Sequence, residues 1–185
     1  MIIPRAIMLC TLFTLSFSSS AHNLVTGQRL PLAVVADPGM LNYSSGEFSY
    51  AAWNSAKLPG KVRVLLHLAG RLSAKNENQV LTEKLQAAGF PQDRYQTTLI
   101  VNTDDAIPGS AMFVRASLKS SKEQSPWTQF IIDGTGSASQ AWQLKQGGST
   151  VAVLDKQGIL RFVKQGPLTP AEVDQVMSLL ETLVH

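Results

Sequence analysis

An α/β fold, a central mixed sheet flanked by helices and finished by a C-terminal β-hairpin and helix, is predicted by three features of this 185-residue sequence. Val62, Val64, Leu65, Leu66 and Leu68 form a nearly continuous apolar run, the pattern of a strand covered on both faces. Two further apolar runs, Thr97–Val101 and Gln129–Ile132, follow it with helical patterns between them, and that alternation builds a parallel sheet. Near the end, Thr150–Leu154 and Ile159–Val163 flank the turn Asp155-Lys156-Gln157-Gly158 as a hairpin, with an amphipathic helix behind it.

The chain starts with a different kind of segment. Residues 1–21 carry one charge, Arg5, then an apolar stretch from Ala6 to Phe17 and the small residues Ser18-Ser19-Ser20-Ala21. This is the pattern of a secretory signal cleaved after Ala21, and the apolar stretch is too short to span about 30 Å of hydrocarbon comfortably. Ile7-Met8-Leu9 before Cys10 lacks the small residues of a lipoprotein signal. Residues 22–185 then form a single domain, free of cysteine because Cys10 is the only one in the sequence. The net charge of +3 has no basic run behind it, which leaves no case for nucleic-acid binding. No second long apolar segment follows, so the processed chain is expected to be periplasmic, without stable membrane insertion.

In order, Leu30–Ala36 reads as a short strand ended by the turn signal Asp37-Pro38-Gly39. Phe48–Trp53 suits either a strand or a turn of helix packed on the core. Leu58-Pro59-Gly60-Lys61 is a turn that launches the central strand. From Asn76 the pattern is helical, with Val80, Leu81, Leu85 and Ala88 on one face and Gly89 and Pro91 as the stop. Met112, Phe113, Ala116 and Leu118 suit a second helix. Ala138–Leu144 suits a short one with Trp142 turned inward. The final helix has Thr169 as N-cap, Pro170 at its first position and Glu172 completing a capping box, with Val173, Val176, Met177, Leu180 and Val184 on the buried side. Phe48, Tyr50, Trp53, Trp127 and Trp142 are expected in the core.

The order β-α-β-α-β-α-β-β-α, with parallel strands and then an antiparallel hairpin, is the thioredoxin-like arrangement, and right-handed crossovers leave few other ways to wind it. The stretches GKVRVLLHLAGRLSAKN, DRYQTTLIVNTDDAIPGSAMFVR, PWTQFIID, AWQL and VLDKQG resemble the YtfJ family of bacterial periplasmic proteins. The resemblance runs over nearly all of residues 22–185. It implies a thioredoxin-like fold and a periplasmic location, and carries with it no substrate, reaction or cofactor.

Thioredoxin-like redox proteins place Trp-Cys-x-x-Cys after the central strand. Here the same stretch reads Arg71-Leu72-Ser73-Ala74-Lys75, with Leu72 and Lys75 where the thiols would be. The proline that flanks such a site should fall near Ser149, and none is there. Thiol exchange needs an attacking thiolate, so this chemistry is excluded.

Ligands in open α/β sheets bind beyond the carboxyl ends of the strands, which directs attention to the loop 69–75. A helix after Lys75, flanked by Arg71 and Lys75, would expose free N–H groups to an anion, with Ser73 alongside. Asp104 and Asp105 follow the next strand and face the same surface, either as an acid/base or cation pair or as loop and helix caps that would hold the cations themselves. His67 reads as a hydrogen-bonded structural histidine, and no metal or other cofactor is expected, His22 included. Three readings follow. The first is a non-redox binding module for a periplasmic protein, peptide or small anionic ligand at Arg71, Ser73 and Lys75. The alternatives are an enzyme using His67, Arg71, Ser73, Asp104 or Asp105 without thiols, and an interaction protein whose working surface lies elsewhere.

Overall fold

The computed structural model describes residues 22–185; the expected signal segment 1–21 lies outside the described residues. A seven-stranded mixed sheet runs in the order β2-β1-β5-β4-β3-β6-β7. Its strands are β1 (Val34–Ser44), β2 (Glu47–Asn54), β3 (Val62–Ala69), β4 (Tyr95–Asn102), β5 (Gln129–Asp133), β6 (Ser149–Leu154) and β7 (Leu160–Gln165). The helices are α1 (Leu72–Glu77), α2 (Gln79–Ala88), α3 (Ala111–Gln124), α4 (Ser137–Trp142) and α5 (Pro170–Val184). Strands β3, β4 and β5 are parallel, whereas β6 returns antiparallel to β3 and forms the expected hairpin with β7.

Every residue of β3 is buried, as a strand with helices on both faces requires. The alternation of its side chains divides the core. Val62, Val64 and Leu66 pack with Leu81 and Leu85 of α2 and with Val173, Val176 and Leu180 of α5. Leu65, pointing to the other face, joins Ile100, Ile131, Trp53 and Trp142, under α4 and the N-terminal segment. The two tryptophans meet edge to face at 6.5 Å, and Trp142 Nε1 donates to Pro31 O at 2.9 Å. Helix α3 covers Val101, Phe130 and Ile132 with Leu118.

Three expectations are corrected. Strand β1 begins at Val34 and continues through Asp37-Pro38-Gly39, where its register against β2 shifts between Val35 and Met40. Proline and glycine, read as terminators, instead form a bulge in a strand paired on both sides, a position where a missing N–H is tolerated. Gly39 has φ +86°, and a Cβ there would stand 2.3 Å from Ala51 O. The second correction is that Tyr50 and Trp127 lie exposed rather than in the core; of the two expectations for Phe48–Trp53, the strand is the one found, as part of β2. Finally, the first helix starts earlier than Asn76. Arg71 is the N-cap of α1, Lys75 lies inside it, and Asn78 (φ −120°, ψ 31°) breaks it from α2. That break rotates the helical face, leaving Leu81 and Leu85 buried and Val80 58% exposed.

The elements with the strongest local signals stand where the sequence places them. Gly89, in the left-handed region at φ 57°, ends α2, and the Thr169–Glu172 capping box opens α5.

Candidate functional site

The carboxyl ends of β3 and β4 and the start of β6 converge on one edge. Leu68 lies opposite Ser149 and Ala69 opposite Asn102, while Ala69 N donates to Gly148 O at 2.9 Å. Gly70 has room only for hydrogen at this junction, since a Cβ would stand 2.9 Å from both Ala106 Cβ and Asn102 O.

Arg71 and Asp105 are brought together. Arg71 Nη2 donates to Asp105 Oδ1 at 2.6 Å and its Nε to Asp105 O at 2.9 Å. The other carboxylate oxygen of Asp105 accepts from Gly147 N, so one aspartate joins the loops after β3 and β4 to the loop before β6. Asn102 sets this up from the end of β4, its Oδ1 accepting from the N–H groups of Asp104 and Asp105. Asp104 turns elsewhere: its Oδ2 stands 3.4 Å from the place a Cβ would occupy on Gly136. The two aspartates therefore do not form an acid/base couple. Among the described residues no group of three or more His, Cys, Asp and Glu side chains gathers around a possible metal position.

Ser149, near which the redox pattern leads one to expect a proline, anchors a second polar knot. Its N–H and hydroxyl both donate to Glu77 Oε2, at 3.1 and 2.6 Å, and its Oγ accepts from Asn78 Nδ2 at 2.8 Å. Asn78 also accepts from Leu168 N at 2.9 Å, tying the α1–α2 break to the approach to α5. The sequence reading missed Glu77, Asn78 and Ser149 as partners. One local signal was present, an asparagine of poor helix propensity in the middle of a helical pattern.

His67 is buried at 4% exposure on the α4 side of the sheet, between Ile100 and Thr150. Desolvation holds its pKa down to about 4, against the opposing pull of Asp133 and Asp105. Its Nε2 has no hydrogen-bond partner among the described residues. Asp133, its charged neighbour, spends its carboxylate on the N–H groups of Thr135, Ser137 and Ala138 at the start of α4.

On the opposite face, α1 and α3 leave a cleft of about 270 Å³ floored by Leu68, Leu99 and Val101. Leu72 and Phe113 stand at its walls, 71% and 70% exposed. Lys75 and Arg71 line it and no carboxylate does. Ser73 is exposed on α1, and the Lys75 ammonium has no ion-pair or hydrogen-bond partner among the described residues. The carboxylates held below their usual range, Asp155 and Glu172, both lie outside this edge.

Residues 24–183 match the family described as "Bacterial protein of unknown function (YtfJ_HI0045)". The Escherichia coli (strain K12) protein named "Uncharacterized protein YtfJ" is 54% identical over 180 residues, covering 97% of this chain and 98% of the relative. An uncharacterized Haemophilus influenzae protein is 42% identical over 169 residues, covering 90% and 92%. Among solved structures, a candidate protein disulfide isomerase from Bacteroides thetaiotaomicron superposes with a TM-score of 0.59 at 14% identity, covering 89% of this chain and 93% of that one. A thiol-disulfide isomerase from Corynebacterium glutamicum superposes at 0.56 with 16% identity, covering 85% and 96%. At these identities the likeness carries the thioredoxin-like fold alone.

Proposed function

The chain belongs to the YtfJ family of bacterial proteins, and from that premise we propose that it is an exported, non-redox thioredoxin-like binding module that takes its ligand at the carboxyl edge of the sheet. The observation that carries this reading is the state of the edge. The only cysteine in the sequence is Cys10, Arg71-Leu72-Ser73-Ala74-Lys75 follows the central strand where the redox pattern carries its thiols, and Ser149, near which that pattern carries a proline, sits in a polar knot. Without a thiolate there is no nucleophile for disulfide exchange. Arg71 and Asp105 neutralise each other, which favours a binding surface over thiol-independent catalysis by those side chains. The open apolar cleft beside an unpaired lysine supplies a place to bind.

Export and periplasmic location rest on the signal pattern of residues 1–21. In this reading the partner is a periplasmic protein, peptide or small anionic ligand. Two measurements test the proposal. The intact mass of protein isolated from the periplasm should correspond to a chain beginning at His22. That protein should leave the rate of insulin reduction by dithiothreitol at its uncatalysed value. A retained leader or a lipid on Cys10 would refute export with processing, and an accelerated rate would refute the non-redox assignment.

A further inference from the structure

We infer that the cleft between α1 and α3 is a binding site for a long-chain carboxylate, with the acyl chain on the sheet and the carboxylate at Lys75; this rests on the reading of the edge as a binding surface and names its ligand class.

The tail is argued from the lining. Leu68, Leu99 and Val101 form the floor, and Leu72 and Phe113 are left largely in water although each could cover an apolar guest. Large apolar side chains grouped around a concave site mark a place where something apolar is to be buried. A second hollow of about 310 Å³ begins on the other side of Leu99, between Phe90, Tyr95 and the exposed Trp127. Leu99 lines both hollows, so the apolar floor of the first cleft borders the second.

The head is argued from charge. The cleft is lined by two cations and no acid. Arg71 is held by Asp105, but the Lys75 ammonium has no partner among the described residues, and its flexible stem can bring it to an anion at the mouth. The site does not depend on the amino terminus of α1, which is only six residues long.

A peptide fits this lining less well than an acyl chain. The N–H groups of Gly70 and Arg71 already donate to Asn102 O and Ala69 O, at 2.8 and 2.7 Å, so this loop offers no free strand edge. The remaining polar side chains of the lining are the hydroxyls of Ser117 and Ser121. Peptide amides entering here would be desolvated with few partners, whereas methylene groups bring nothing to satisfy.

The test is titration of the ¹⁵N-labelled exported protein with sodium dodecanoate below its micelle concentration. Controls are acetate, dodecyltrimethylammonium, dodecyl phosphate and an acidic octapeptide. Amide shifts should cluster in residues 68–75 and 113–121. Decanoate should bind more weakly by roughly fourfold per missing methylene. Lys75→Gln should weaken dodecanoate at least fivefold, and Ser117→Trp, a substitution at an exposed position that fills the cleft, should abolish the shifts while thermal unfolding stays as in the parent. Equal binding of dodecyltrimethylammonium, or dodecanoate shifts persisting in Ser117→Trp, would overturn the inference. So would tighter binding of dodecyl phosphate or of the octapeptide at these residues, which leaves the edge a binding surface but assigns it another ligand.

Discussion

The imidazole of His67 is held neutral by burial, and that has a consequence for stability. With a pKa of about 4 in the fold and 6.5 once exposed, the unfolded chain takes up the proton first. The histidine therefore costs nothing above about pH 6.5, and stability falls as the pH drops from there toward 4. At pH 4.5 the loss relative to pH 7 is about 2 kcal/mol. Urea unfolding of the parent and of His67→Leu should diverge by that amount between the two pH values, the variant being the less acid-sensitive. Identical pH dependence would mean that the buried nitrogen has found a partner. At this scale the sequence made His67 visible as a strand residue. Its unpartnered Nε2 depends on what the fold places around it, and no local pattern encodes that.

Helix boundaries divide the elements into those the sequence specifies locally and those it does not. Helix α5 is specified by four consecutive residues: Thr169 Oγ1 accepts from Glu172 N, and Glu172 Oε2 accepts from Thr169 N at 2.7 Å. Thr169→Ala should lower stability by about 1 kcal/mol in denaturant unfolding, without changing the fold. The break between α1 and α2 is specified at a distance. Asn78 meets Ser149, 71 positions away, and Leu168, 90 positions away, and neither contact leaves a mark on the periodicity around Val80. The periodicity accordingly predicts a start at Asn76 and places Val80 on the buried face. Asn78→Ala should cost about 2 kcal/mol, more than Thr169→Ala, because it leaves the Leu168 N–H and the Ser149 hydroxyl short of a partner. A smaller cost than that of the N-cap variant would indicate that water takes over these bonds. Strand β1 errs the other way: Asp37-Pro38-Gly39 is a strong local stop signal that the pairing of β1 with both β2 and β5 overrides.

Across the whole molecule, the arrangement of strands and helices is legible because burial imposes it: β3 is buried along its length and apolar except at Arg63 and His67, and β4 and β5 carry shorter apolar runs. The same reasoning directs attention to the carboxyl edge of the sheet as the expected ligand surface. It did not show that Arg71 and Asp105 would close on each other, or that the apolar cleft opens on the α3 side with Lys75 at its mouth, since both depend on loops meeting across the sheet. The central claim is that this edge, and not another surface, engages ligand without disulfide chemistry. A photo-crosslinking amino acid at position 72 or at position 113 tests it directly. Both sites are exposed at the edge, and position 32 is a largely exposed control among residues at the amino-terminal end of β3. After irradiation of whole cells, intact mass spectra should reveal an adduct at 72 and 113 that survives dithiothreitol, and none at 32. Adducts at 32 equal to those at the edge, or adducts at the edge released by dithiothreitol, would contradict the account.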